Sequence, residues 1–409
     1  MKITVSVSGK FSPGYLWAAD LERRGMLERL ITPLPYRRGA HFGVSRERTR
    51  SVWPIGAVNW TMQHVAPAAF QPTNQIAISA AYDEAASRLI GDCDVFNGWA
   101  SMSLRSIREA RRRGIPSVLQ IASAHIVAQT QLLEEEARTW EFDAPQTHPG
   151  VIARTIREYE EADVLAVPAE FVRRTFIEQG VRASKIKLIP WGVQPVTDAS
   201  GGSRLEAAAS LLAARRERAE ATERVPRILF VGGVGLRKGV PYLLAAFSKL
   251  ETPATLRLVG AIDKRFLRAL GGLPEGVEAV GVKTGDALAS EFHDADVFVL
   301  PSVEDGFGIV TTEAMAAGLP AIVSQNCGSA DAVQDGVNGF VVPARDSDAL
   351  RDRLETLLAD AKLRLRMGEA AASSVRGWSW EESGERHLRE IYEPLLARDS
   401  KDGPIARAA

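Results

Sequence analysis

The chain has 409 residues, a formal net charge of −1 and 45% hydrophobic residues. That length accommodates two domains of ordinary size, each with its own core, and the near-zero charge gives no reason to expect a nucleic-acid partner. The two cysteines, Cys93 and Cys327, lack metal-ligand or disulfide spacing and read as reduced core residues.

In chain order, the opening MKITVSVSG already reads as a strand over 3–7 and not as a charged-then-apolar leader. No apolar run approaches membrane-spanning length. The loop SGKFSPG follows that strand, and a variable segment then carries Arg37, Arg38, Arg46, Arg48 and Arg50, followed by Trp53, Trp60 and Phe70. Strands are expected at 93–96, 117–121, 164–167 and 186–189, separated by helical patterns such as 103–113 and 152–162. The first of these helices carries Arg105, Arg108, Arg111, Arg112 and Arg113. A solvated helix face is the plain reading of such a run, and contact with anionic lipid is the alternative. His125 falls just after the strand 117–121, on the edge where ligands bind in open α/β sheets, although a lone histidine is more often a core or surface residue. The stretch 197–224, Ser-Gly-Gly-Ser followed by an Ala/Arg/Glu-rich run, reads as a linker with a surface helix and no chemistry.

The second half repeats the rhythm, with strands at 228–231, 255–259, 297–300, 321–323 and 340–342. Near-continuous apolar strands alternating with helices argue for an α/β fold with parallel sheets covered on both faces. After the first of these strands comes GGVGLRKGVP, where glycines, Arg237, Lys238 and a helix opened by Gly239 and Pro241 would form a basic clamp for a diphosphate. Lys238 stands where a dinucleotide fingerprint needs its third glycine, and no Gly-Lys-Ser/Thr follows as in a P-loop. Further on lies PSVEDGFGIVTTEAMAAGLPAIVS. It is a strand exit with Asp305, a Gly306-Phe307-Gly308 turn, and a helix over 308–317 that carries Glu313 and stops at Gly318. The unpaired amides of its first turn make an anion site, and two carboxylates beside it suit the hydroxyls of a sugar nucleotide. Two Asp-x-Asp pairs, Asp92/Asp94 and Asp294/Asp296, precede strands and so belong on the opposite edge from ligands. No metal site is expected.

The segment from Asp305 to Glu313 resembles the signature of retaining glycosyltransferase family 4, an acid and a glutamate separated by seven residues with GFG after the first and EAMA at the second. The family has Glu at the first position, so Asp305 is a departure; Glu304 is adjacent but one residue out of frame. The Arg237–Lys238 loop and the Gly377-Trp378-Ser379-Trp380-Glu381 tail also match, and the N-terminal half matches more loosely through NGWASMSLRS, ASAHIVAQTQ and IKLIPWGV.

The resemblance implies a GT-B architecture of two Rossmann-like domains facing a cleft. An acceptor domain would span 1–196 and a donor domain 225–378, with residues from about 379 packing back on the first. It implies that His125 reaches the donor sugar, that Arg237 and Lys238 hold the donor phosphates, and that Asp305 and the Gly306, Phe307 and Gly308 backbone fix sugar hydroxyls. The amides of Ile309 and Val310 would meet phosphate, Glu313 the ribose and the main chain at Val282 the base. Gly9 would let the donor or acceptor approach, and Lys10, Phe11 and Ser12 would face the acceptor. The implied activity is transfer of a sugar from a UDP-, GDP- or ADP-sugar to a sugar, lipid-linked or small-molecule hydroxyl. Retention, no cofactor and no required metal are implied with it, in a cytoplasmic protein that could touch the inner membrane face through its N-terminal arginines. A non-catalytic nucleotide-sugar-binding protein and a sugar-nucleotide epimerase are the rival readings.

Overall fold

The computed structural model describes residues 1–402 except 8, 10, 11, 66–70, 143–145, 194–211, 214 and 218–223, and leaves the side chains of 63–65, 71–74 and 398–402 undescribed. Two all-parallel sheets organise it. The N-terminal sheet has seven strands: β1 (Ile3–Ser6), β2 (Leu27–Thr32), β3 (Thr49–Ser51), β4 (Val95–Trp99), β5 (Ser117–Gln120), β6 (Val164–Val167) and β7 (Ile186–Leu188), in the order β3-β2-β1-β4-β5-β6-β7. The C-terminal sheet has six: β8 (Arg227–Val231), β9 (Thr255–Val259), β10 (Val277–Gly281), β11 (Val297–Leu300), β12 (Ala321–Ser324) and β13 (Gly339–Val342), in the order β10-β9-β8-β11-β12-β13. Each sheet reverses direction once, between β1 and β4 and between β8 and β11. Doubly wound sheets bind ligands in the crevice at that reversal, beyond the carboxyl ends of the strands.

The α/β class follows from the strands. β4, β5, β6, β11 and β12 are buried at every residue, as strands covered on both faces must be. β2 and β3, which the apolar runs do not announce, extend the first sheet on one side. β2 carries Glu28 and Arg29 within LERLIT, and β3 is the three-residue edge TRS.

The chain returns to the first domain at its end. The helix Trp380–His387 lies against the helix Ser12–Arg23, and Trp380, Leu388, Ile391 and Tyr392 join the N-terminal core. Trp17 Nε1 donates to the Tyr392 hydroxyl at 3.2 Å, and Val193 N donates to Trp378 O at 2.8 Å. Most of the expected linker, 197–224, lies outside the described residues. Arg215 departs from the surface role given to that stretch. It is buried, and its guanidinium donates to the carbonyls of Ala317, Ala295 and Phe292 at 3.0, 2.5 and 2.7 Å. It thereby caps the ends of the helices Asp286–Asp294 and Ile309–Ala316.

The Asp-x-Asp pairs sit at the amino edges of β4 and β11. Asp94 accepts from Lys2 N at 2.6 Å, and Asp296 accepts from Arg227 N at 2.7 Å and from Arg224 at 2.9 Å. Among the described residues, no helix is long and apolar enough to cross a membrane, and no group of three or more His, Cys, Asp or Glu side chains is arranged to hold a metal ion.

Candidate active site

The loops after β8 and β11 meet at the reversal of the second sheet. The first turns through Leu236–Lys238 and ends at Gly239, whose φ is 69°. A Cβ there would stand 1.9 Å from Pro301 O, so glycine is required both for its conformation and for the closeness of the two loops. Val303 N and Glu304 N both donate to Arg237 O, at 3.0 and 3.4 Å.

Four charged side chains result in one cluster. Lys238 Nζ pairs with Asp305 Oδ2, and Asp305 Oδ1 accepts from Gly308 N at 3.2 Å. Arg237 Nη1 reaches Glu304 O at 3.0 Å and Glu304 Oε2 at 3.2 Å. Its Nε and Nη2 make no further bond among the described residues. Asp305 is 8% exposed. Burial alone would raise its pKa, but the neighbouring charges of Lys238 and Arg237 outweigh it and hold the carboxyl below the usual range. The clamp is therefore two cations already faced by two carboxylates.

Gly308, at φ 69°, opens the helix Ile309–Ala316 with no side-chain cap. Among the described residues, nothing accepts from the amides of Ile309 and Val310, which leaves donors of the kind an anion occupies. One turn on, Glu313 is half-buried and no cation or donor among the described residues meets its carboxylate, so burial pushes its pKa up to about 8. Val282, beyond the end of β10, is 67% exposed.

The glycine–aromatic–glycine turn works differently from a simple approach site. A Cβ on Gly306 would lie 2.1 Å from Ala122 O and 2.8 Å from Ser123 Cα, both in the loop after β5. The space it leaves is filled by the N-terminal domain. The Phe307 ring is buried, 5.3 Å from Trp191 and 6.3 Å from Trp378 between ring centroids. It packs in the aromatic junction between the domains.

Across the cleft, His125 caps the helix Ile126–Thr139, its Nδ1 accepting from Val127 N at 3.3 Å. Its ring lies 5.0 Å from both Tyr159 and Phe176, and burial lowers its pKa to about 4. It is thus neutral near pH 7, with the proton left to Nε2. Gly9, at φ 54°, follows β1, and its carbonyl accepts from the Tyr15 hydroxyl at 2.9 Å. Ser12 begins the helix Ser12–Arg23, while Lys10 and Phe11 lie outside the described residues.

Sequence reasoning missed how far the domains are fastened. Glu304 accepts from Ala124 N at 2.9 Å and from Gln129 Nε2 at 3.0 Å. The Tyr242 hydroxyl donates to Glu136 at 3.1 Å, and Arg345 pairs with Glu136 and Glu135 at 2.5 and 3.0 Å. A second missed feature is the charge balance of the arginine-rich helix. Arg108 and Arg111 pair with Glu161, and Arg112 and Arg113 with Glu109, which offsets much of its charge.

Two facing Rossmann-like domains with parallel sheets define the GT-B class. Residues 213–374 match the family described as Glycosyl transferases group 1. A curated relative, the phosphatidyl-myo-inositol mannosyltransferase of Mycobacterium leprae, is 36% identical over 180 residues, 42% of this chain and 48% of its own. The chain spans between a third and a half of the length of the first such relatives. Similarity of fold extends further. Sucrose-phosphate synthase from Thermosynechococcus elongatus superposes with a TM-score of 0.69 at 19% identity, over 97% of this chain and all of that one. Anabaena Alr3699/HepE, solved in complex with UDP, gives 0.67 at 14% identity, over 96% of this chain and 100% of that one.

Proposed function

We propose that this protein transfers a sugar from a nucleoside-diphosphate sugar to a hydroxyl acceptor. The observation that carries the reading is the convergence at one sheet reversal of Arg237, Lys238, the Ile309 and Val310 amides and Glu313, whose carboxyl meets no partner among the described residues. Breaking the anomeric bond leaves negative charge on the diphosphate, and preorganised cations and amides are the groups that stabilise it. Since Arg237 and Lys238 supply that charge, we infer that no divalent metal is required. Retention rests on the family resemblance, with the leaving phosphate accepting the acceptor's proton on the face it departs from. Neutral His125 would donate from Nε2 to a sugar hydroxyl, and closure of the domains would exclude water.

UDP, a ligand of the Anabaena neighbour, is the first nucleotide to try. A thermal-shift panel of UDP-, GDP- and ADP-sugars, with and without chelator, is expected to show stabilisation by one donor that survives chelator. The anomer of the product, read by NMR, then decides retention. No shift with any donor would sink the reading. The non-catalytic alternative has one observation behind it, the engagement of Asp305 by Lys238; measured turnover separates the two.

Glu313 provides an internal check. Its raised pKa costs stability as pH rises from the ordinary carboxylate range near 4.5 through about 8. Glu313→Gln is therefore expected to match the wild type in Tm near pH 4.5 and to exceed it at pH 8 and above; above pH 8, where the carboxylate is ionised, it should bind nucleotide at least about tenfold more weakly through loss of a charge-assisted acceptor for the ribose. Unchanged nucleotide affinity would remove Glu313 from the donor site.

We also infer that the protein is cytoplasmic and touches anionic membrane. The helix Trp53–Val65 holds no Asp, Glu, Lys or Arg and exposes Trp53 at 56% and Trp60 at 57%, next to Arg46, Arg48 and Arg50. Trp at the headgroup level with arginine beside it suits an interface. Co-sedimentation with vesicles containing phosphatidylglycerol is expected, and to fall for Trp53→Ser/Trp60→Ser; equal binding by both proteins, or none by the wild type, would refute the contact.

A further inference from the structure

We infer that Glu304, the acid one residue out of the signature frame, is a positioning residue that couples the phosphate clamp to domain closure. The inference rests on the donor-site reading above. Glu304 is fully buried, and every bond it makes serves one of two purposes. Its Oε2 faces Arg237 Nη1 at 3.2 Å within the C-terminal domain. Its Oε1 accepts from Ala124 N at 2.9 Å, and Oε2 also accepts from Gln129 Nε2 at 3.0 Å, both from the N-terminal domain. Ala124 immediately precedes His125, and Gln129 lies one turn into the helix that His125 caps.

A buried carboxylate is expensive unless its oxygens are met by donors. Here the full set of donors exists only when the two domains are together. With the domains apart, the Ala124 and Gln129 donors are lost and, among the described residues, Arg237 is the side-chain partner that remains. Closure therefore completes the solvation of Glu304 and fixes Arg237 through Nη1, leaving Nε and Nη2 for a diphosphate. The same contacts set the position of the His125 loop. The neighbouring pair is divided in function: Asp305 holds Lys238 and the Gly308 amide, and Glu304 holds Arg237 and the opposite domain. Each cation of the clamp thus has its own carboxylate, and only that of Arg237 is tied to closure.

Glu304→Gln separates this role from a structural one. A glutamine can still accept from Ala124 N, but its amide nitrogen cannot accept from Arg237 or Gln129, which are themselves donors. Spin labels at Glu178→Cys and Asp352→Cys, on exposed helices of the two domains, report their separation, the native cysteines being buried. Glu304→Gln is expected to move the distance distribution of the unliganded protein to longer values. It should lower kcat for transfer about 10²-fold through misplacement of Arg237 and the His125 loop. Affinity for the free nucleoside diphosphate should be unchanged or tighter, because Arg237 loses an opposing charge, so the loss falls on kcat and not on KM. Hydrolysis of the donor should rise relative to transfer. Glu304→Asp should recover part of kcat, and Gln129→Leu, which leaves Arg237 untouched, should loosen closure with a smaller loss of kcat.

A distance distribution and kcat both equal to wild type would overturn the assignment, as would a parallel loss of Tm and nucleotide affinity with no preferential effect on kcat. If the wild type binds no nucleoside diphosphate, the donor-site reading fails on its own. The spin-label distances of Glu304→Gln still decide whether this residue fastens the domains.

Discussion

Gly306→Ala is expected to reduce transfer by about 10²–10³-fold, the penalty for holding reacting groups out of position, while leaving nucleotide binding and Tm near wild type. The backbone at Gly306 is not in the left-handed region, so alanine meets no conformational obstacle there. The nearest obstacles lie across the cleft. The new Cβ would stand 2.1 Å from Ala122 O, 2.5 Å from Ala122 C and 2.8 Å from Ser123 Cα. All three are backbone atoms, which no rotamer change can move aside. The closed arrangement must then open by an ångström or more, and with it the spacing between the clamp and His125. Gly308→Ala is the control with the opposite signature. Its φ of 69° and a Cβ 2.6 Å from Cys327 Sγ strain the C-terminal domain itself, so its Tm should fall. Wild-type turnover by Gly306→Ala would show that the observed closeness of the domains is not needed for transfer.

The same positions explain what was legible in the sequence. Strands such as VFVL and AIVS announce themselves because a parallel strand covered on both faces has no polar side to show. β2 was hidden by Glu28 and Arg29, and β3 by its shortness and its position at the sheet edge. The residues of the charged cluster were legible because they are neighbours in the chain: Arg237 beside Lys238 before Gly239, and Asp305 before a glycine turn. Glu304 lies one residue out of the signature frame, and nothing local tells that its partners Ala124 and Gln129 come from the other domain. Phe307 sits in the most recognisable turn of the chain, yet its ring is fixed by Trp191 and Trp378. Arg215 looked like one charge among many in a helical run and is instead buried on three carbonyls. Spacing reports which backbone groups are presented at a sheet edge. It does not report which long-range partners occupy them.

Lys238→Ala is expected to cost both activity and stability, with a pH signature that identifies the cause. Removing one preorganised donor from a developing anion lowers kcat by about 10²–10³-fold. The fold suffers separately, because Asp305 loses the cation that most offsets its burial. Breaking one side of a buried ion pair costs about 3 kcal/mol. The sign with pH follows from the direction of the shift. In the wild type the Asp305 pKa is depressed, so the pair stabilises the protein above the ordinary value of 3.8, and that stability is lost as pH falls through the folded pKa. In the variant, burial is opposed only by Arg237 and the turn amides, and the Asp305 pKa rises. The difference in Tm between the two proteins should therefore be widest near pH 7 and narrow as pH falls through the raised Asp305 pKa of the variant. Lys238→Met/Asp305→Asn removes both charges and should recover most of the Tm with none of the turnover. If the double variant were as unstable as the single one, the loss would lie in packing of the Leu236–Lys238 turn and not in the stranded carboxylate. If Lys238→Ala kept wild-type turnover, the leaving diphosphate would be held by Arg237 and the helix amides alone.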